Sequence, residues 1–186
     1  MNLEEIIANR RSVYPEQYTQ KAIARKDIEE LLEAANWAPS HKHTEPWRFK
    51  VIQNEALTKL SDFLAKKYEE ITPADKFSSF TQKKLASKPL LAGAIIAICM
   101  QRDPKESLPE WEEIAATAMA VQNMWLLASD KGLGAYWSSP GLINHMGDFF
   151  NFAQGEKCLG FFYVGHFDGE IPESRRKPIE EKTEWL

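Results

Sequence analysis

Residues 111–139 hold a long run without charge, and the remaining elements are read around them. No charged residue occurs between Ile114 and Ser129. Ile114, Ala118, Val121, Trp125 and Ala128 recur at helical spacing, while Ala115, Met119, Met124 and Leu127 make other faces apolar too. A helix that is apolar nearly all round must be covered on most sides, by a core or by a second subunit. Gly132 follows the last periodic residues and suits the left-handed conformation that closes helices, with Lys131 beside the negative helix end. Residues 133–139 then read as a strand rich in aromatic and small side chains. This helix–glycine–strand unit is the predicted spine of the fold.

Other periodic segments surround it. Leu3, Ile6 and Ile7 mark a short amphipathic helix, and Ile28, Leu31, Leu32 and Ala35 a second one that ends before Pro39. Residues 49–53 alternate like a strand with one buried face. Asn54 is a candidate N-cap for a helix carrying Leu57, Leu60 and Leu64; Pro73 breaks it, and Asp75 is a candidate cap for another helix running to about Lys84. Residues 91–99 and 159–165 are continuous apolar runs, as expected of strands buried on both faces. Residues 144–152 read as a helix. The tail from His166 is polar, holds Pro172 and Pro178, and finishes in Trp185-Leu186. The pattern predicts one α+β domain over residues 1–186, with a central mixed sheet covered by helices. A Trp-Leu end on a charged arm predicts either docking on its own domain or a reach across to a second subunit.

Charge and composition narrow the classes. The 186 residues carry 23 Lys and Arg against 27 Asp and Glu, a net charge of −4 with the signs interleaved. That excludes the basic stripe of a nucleic-acid binder. Cys99 and Cys158 match no metal or redox spacing and suit a reducing cytoplasm. Glu4 and Glu5 stand where a secretory signal would be basic, and the uncharged run 89–101 is too short for a membrane span. A cytoplasmic protein that is not inserted in a membrane is the expectation.

No nucleophile elbow, phosphate loop, zinc-protease motif or dinucleotide fingerprint occurs. His41 and His43 lie in a proline-bounded loop with Glu45 as the only near partner, and a solvated or capping role fits them better than metal ligation. Arg10-Arg11-Ser12 follows a helix, where two guanidinium groups and a hydroxyl make a phosphate cradle; the alternative is that the arginines offset the helix end. Arg175-Arg176-Lys177 in the tail is either another phosphate contact or a solvated charge run. Trp137-Ser138-Ser139 follows Gly132-Leu133-Gly134, a place where a backbone can approach a planar ligand closely; a core strand ending at Pro140-Gly141 is the alternative.

Five blocks occur together in one order: Arg10-Arg11-Ser12, Ala38-Pro39-Ser40 to Pro46-Trp47, the spine helix with Gly132-Leu133-Gly134, Trp137 to Ser139, and Arg176-Lys177-Pro178. In this the chain resembles the small single-domain members of the flavin-dependent nitroreductase family, over nearly its whole length. The resemblance implies a homodimer with a domain-swapped C-terminal arm and FMN in the subunit interface. It assigns Arg10 and Ser12, with Arg11 beside them, and Arg176 from the tail, to the FMN phosphate end. It places His41 and Glu45 against the flavin from the partner subunit, and Trp137, Ser138 and Ser139 along the isoalloxazine.

The implied activity is ping-pong transfer of two electrons from NAD(P)H, through flavin N5, to a nitroaromatic, quinone or similar small-molecule acceptor. The alternative is a module that stores or senses flavin without sustained turnover. Because the flavin performs the redox step, no protein side chain is assigned a catalytic role. Two residues depart from the family's pattern. Glu45 replaces the common Asn or Gln, which predicts a lowered flavin potential or a raised Glu45 pKa, testable with Glu45→Gln. Ser138 replaces a common Arg, which predicts weaker binding of anionic substrates.

Overall fold

The computed structural model describes residues 2–171, 173 and 175–186. Four strands, β1 (Trp47–Ile52), β2 (Ala94–Gln101), β3 (Leu133–Ser138) and β4 (Glu156–His166), form a sheet in the order β1-β2-β4-β3. All three pairings are antiparallel. The expectation of a mixed sheet is therefore corrected for the described residues. β2 and β3 both run antiparallel to β4 and so parallel to each other, and α5 is the crossover that carries the chain back to the end where β2 began.

β2 is buried along nearly its full length, and its residues alternate between two cores. Ile96 and Ile98 pack with Phe162 and the helices α2 (Arg25–Asn36) and α5 (Glu110–Asp130) on one face. Ile95, Ala97 and Cys99 pack on the other with Phe161, Tyr163 and helix α3 (Glu55–Ile71). Fully buried leucines on each side, Leu31 of α2 and Leu60 of α3, each contribute about 1.5–3 kcal/mol. Helix α4 (Ser79–Leu90) lies on α3, where the Ser61 hydroxyl donates to the Ala86 carbonyl at 2.6 Å.

The spine helix forms, but of the predicted apolar stripe only Val121 and Ala128 are fully buried, with Trp125 packed against the core. On α5 the buried residues are Glu113, Ala116, Thr117, Ala120, Val121, Met124 and Ala128. Small residues on this face let the helix approach the sheet and α2, and Thr117 satisfies its hydroxyl within the helix on the Glu113 carbonyl. Glu113 is wholly buried yet paired: Arg102 bridges it, and the Asp103 N–H donates to it at 2.8 Å. Ile114, Ala118, Met119 and Leu126 are left off this core face. Gly132 has the predicted left-handed conformation, φ +69°. Lys131 pairs with Asp27 at 2.9 Å and with Glu30, tying α5 to α2 as well as facing the helix end.

Helix α1 (Leu3–Asn9) opens with a capping box between Asn2 and Glu5. Ser78, not Asp75, caps α4, through a bond from the Thr81 N–H to its hydroxyl, and the helix runs on past Lys84 to Leu90. Asn54 precedes α3 but makes no side-chain cap. The helix expected over 144–152 reduces to a 3₁₀ turn (Gly141–His145) and the single turn α6 (Gly147–Phe150). Asn151, at φ +53°, ends it. In the tail, Trp185 and Leu186 are fully exposed, so they do not dock on their own domain. Pro172 lies outside the described residues.

Candidate functional site

Arg10 ends α1 as its C-cap, its N–H donating to the Ile6 carbonyl at 2.9 Å. Its guanidinium carbon lies 4.4 Å from the centre of the Trp125 ring, on α5. Nη1 of this guanidinium is buried and has no hydrogen-bond partner. Burial lowers the Arg10 pKa, and the charges of Arg176 and then Arg11 lower it further. Arg176, from the tail, and Arg11 thus both act on Arg10 through their charge. Like charges held close beside a buried, unsatisfied N–H raise the free energy of the protein alone and favour an anion.

Arg11 does what the plainer reading of the sequence expected. Its Nη1 donates to the carbonyls of Ala8 and Arg10, at 2.7 and 2.8 Å, and so satisfies the end of α1. Ser12 is half-buried and precedes Val13, whose N–H donates to the Ala135 carbonyl at 3.0 Å. That bond fixes the loop along β3, an edge strand of the sheet.

From the arginine end, β3 runs about 17 Å to Ser138. Trp137 and Ser138 are half-buried and Ser139 is exposed. The Trp137 indole lies across Gly160 of β4, where a Cβ would come within 2.3 Å of its Nε1 and 2.5 Å of the Ser138 carbonyl oxygen. Gly160 also has φ +149°, a conformation that side chains oppose.

His41 and Glu45 lie elsewhere. His41 Nδ1 is 2.7 Å from Glu112 Oε2, on the first turn of α5. Glu45 is exposed at φ +42°, its N–H donating to the Ser40 hydroxyl at 2.8 Å. Trp125 is thirteen residues beyond Glu112 on the same helix, about 20 Å along its axis. Within one chain, therefore, Arg10, Arg11, Ser12 and Arg176 gather at one end of α5 and His41 and Glu45 at the other. Trp137, Ser138 and Ser139 occupy the end of β3.

One residue near this site escaped the sequence reading. Lys88 of α4 places its ammonium 4.5 Å from the Tyr136 ring centre and 5.4 Å from that of Tyr163. It lines a cavity with Ser138, Pro140, Leu64, Leu85 and Lys84. Neither lysine has a carboxylate partner among the described residues. The signal available in sequence was a lone lysine at the end of a weakly amphipathic helix, which pairs with β3 only through the tertiary fold. Among the described residues no group of three or more His, Cys, Asp or Glu converges as a metal would need, and no helix is long and apolar enough to cross a membrane.

Comparison with known proteins gives a consistent family. The model of the "Nitroreductase family" matches residues 7–166. A Bacillus subtilis protein named "Putative NAD(P)H nitroreductase YfhC" is 29% identical over 97% of this chain and 92% of its own. The crystal structure of a nitroreductase-like family protein from Bacillus cereus superposes with a TM-score of 0.85 at 34% identity, covering 100% of this chain and 96% of that one. A "putative nitroreductase in complex with fmn" from Desulfovibrio desulfuricans does so at 0.76 and 25%, covering 98% and 95%. A family match over most of the chain, joined to an α+β fold shared end to end, means that the protein belongs to the nitroreductase family.

Proposed function

We propose that residues 1–186 form a single FMN-binding domain that works as a homodimeric NAD(P)H-dependent oxidoreductase. The observation that carries the reading is the buried Arg10 guanidinium N–H that lacks an acceptor, in a place where the charges of Arg176 and Arg11 act on it. A phosphate dianion supplies both the missing acceptor and the missing negative charge, so the donor set fits FMN. Arg10, Ser12 and Arg176 would hold the phosphate end, with Arg11 fixing the turn that presents them. Trp137, Ser138 and Ser139 would line the ring along β3. When bound, the flavin supplies two-electron transfer, accepting from NAD(P)H and passing on, by ping-pong, to a nitroaromatic, quinone or similar small acceptor.

The homodimer is supported by what one chain leaves uncovered. Trp111 and Met119 of α5 are exposed, and Ile114, Ala118 and Leu126 are only half-buried, all off the core face. Two antiparallel copies of α5 crossing near Ala118 and Met119 would bring each His41 end over the other copy's Arg10 end. The partner's His41 and the partner's Glu45 would then complete a site that one chain leaves in two halves. The tail points to the same arrangement. Ile179, Trp185 and Leu186 are all exposed, and an arm crossing to the second subunit would bury them.

Lys88 changes the expected substrate preference. Ser138 lacks the cation of many relatives, but the Lys88 ammonium beside Tyr136 restores positive charge to the same strand end. The test is the visible spectrum of the purified protein. A flavin band that bleaches with NAD(P)H and returns with a nitro or quinone acceptor supports the reading. A colourless protein that gains no band from added FMN overturns it.

A further inference from the structure

Cys99 and Cys158 are the only cysteines of the chain, and both are free. They lie far apart in sequence, but the sheet sets them opposite one another. Along β2 and β4, Ile98 faces Gly160 whereas Cys99 faces Cys158. The register shifts by one residue between these pairs, so Leu159 is the extra residue of a β-bulge. Without that bulge Cys99 would face Leu159. With it, Leu159 packs toward α2 and α5, and Cys158 joins Cys99 in the core on the α3 side.

The geometry suits a covalent bond. Directly opposed residues of an antiparallel pair have Cα atoms about 4.5–5.5 Å apart, inside the range of about 4.4–6.8 Å that a disulfide spans. The Cys158 thiol donates to the Gly160 carbonyl at 3.4 Å. The interaction between the thiols, together with burial, pushes Cys99 well above the ordinary range; the same interaction draws Cys158 below it, against the opposing effect of burial. Cys99 is wholly buried, while Cys158 keeps 6% of its surface open. The Lys50–Glu156 ion pair lies beside them, two residues from Cys158. A reagent the size of water therefore meets Cys158 first.

We propose that Cys99 and Cys158 form a reversible dithiol–disulfide pair, oxidised by hydrogen peroxide, with Cys158 as the attacking and Cys99 as the resolving thiol. The Cys158 thiolate attacks one peroxide oxygen: an S–O bond forms, the O–O bond breaks, and the departing hydroxide takes up the thiol's proton to leave as water. The Cys99 sulfur then displaces the hydroxyl of the Cys158 sulfenic acid. An S–S bond forms, the S–O bond breaks, and a second water departs with the Cys99 proton. Two thiols lose two electrons and two protons, and the peroxide becomes two waters. The new bond would lie two residues from Gly160, the backbone that Trp137 covers.

The experiment treats the folded full-length protein with hydrogen peroxide, removes the excess with catalase, then denatures, alkylates and weighs it. The expected wild-type product is lighter by about 2 Da and takes no alkyl group, and dithiothreitol restores both alkylation sites. Cys99→Ser is expected to stop at a Cys158 sulfenic acid that dimedone traps, while Cys158→Ser stays unmodified at the same dose. Two alkylated thiols after peroxide, a disulfide between chains, or dimedone trapped at Cys99 would each overturn the assignment. Peptide mapping of the wild-type product alone decides between the first two and the intrachain bond, should a variant fail to fold.

Discussion

Replacing Arg10 with Met separates a binding role from a structural one. In the protein without ligand, the substitution removes a cation stacked 4.4 Å over Trp125, a loss of about 0.5–1 kcal/mol. It also removes a buried N–H without an acceptor, whose burial costs about 1–3 kcal/mol. The repulsion from Arg176 and Arg11 goes with it. These terms offset, so the stability of the flavin-free protein is expected to change by less than about 1 kcal/mol or to rise. Flavin binding should respond in the opposite sense. Losing a charge-assisted pair with phosphate costs about 2–4 kcal/mol, which is a weakening of about 30- to 1,000-fold in Kd. Urea denaturation of the apoprotein and fluorescence titration with FMN measure the two quantities separately. An Arg10→Met protein that keeps wild-type FMN affinity, or that loses more than about 2 kcal/mol of apoprotein stability, would refute the reasoning.

Three further outcomes are expected. Gly160→Ala puts a Cβ against Trp137 Nε1 and the Ser138 carbonyl at a strained φ, so it should cost about 2–5 kcal/mol by denaturation, and a loss under about 1 would mean that Trp137 is free to move. The Asp103 carboxylate is held below its ordinary value, first by the Ser107 hydroxyl and then by the Ser107 and Lys105 N–H groups. Its contribution to stability is therefore full above the unfolded value of about 3.9 and fades as pH falls through the lowered folded value; Asp103→Asn should differ from wild type near neutrality and converge with it in strong acid, and a difference that persists in acid would contradict this. Removing residues 179–186 deletes Ile179, Trp185 and Leu186, which one chain leaves exposed. Sedimentation should show a weakened dimer, and an unaltered association constant would remove the crossing arm.

Much of the fold was legible because burial on two faces leaves a direct mark. β2 and β4 read as unbroken apolar runs, and Gly132 closed the spine helix where a left-handed residue was required. The inward face of α5 was legible from apolar spacing only at Val121 and Ala128. Ile114 and Met119 are larger than Ala116 and Ala120, but close approach to the sheet selects the smaller pair, and the paired Glu113 shares that face. The turn at 141–150 failed differently: Phe149, Phe150 and Phe152 carry the apolar signal of a helix, yet they stack on one another and on Phe63 across a chain reversal at Asn151. At the site, the arginines at both ends of the chain could be named in advance because ordered motifs single them out. The charge that Arg176 exerts on Arg10 depends on the tail's path, and the place of Lys88 beside Tyr136 on how α4 packs on α3, which no local pattern encodes.

Riboflavin and FMN differ only in the phosphate, so their relative affinity for the apoprotein tests the arginine cluster most directly. The account predicts that FMN binds at least about 100-fold more tightly, and that substituting Arg10 and Arg176 together erases most of the difference. Equal affinity for the two flavins in the wild-type protein would contradict it.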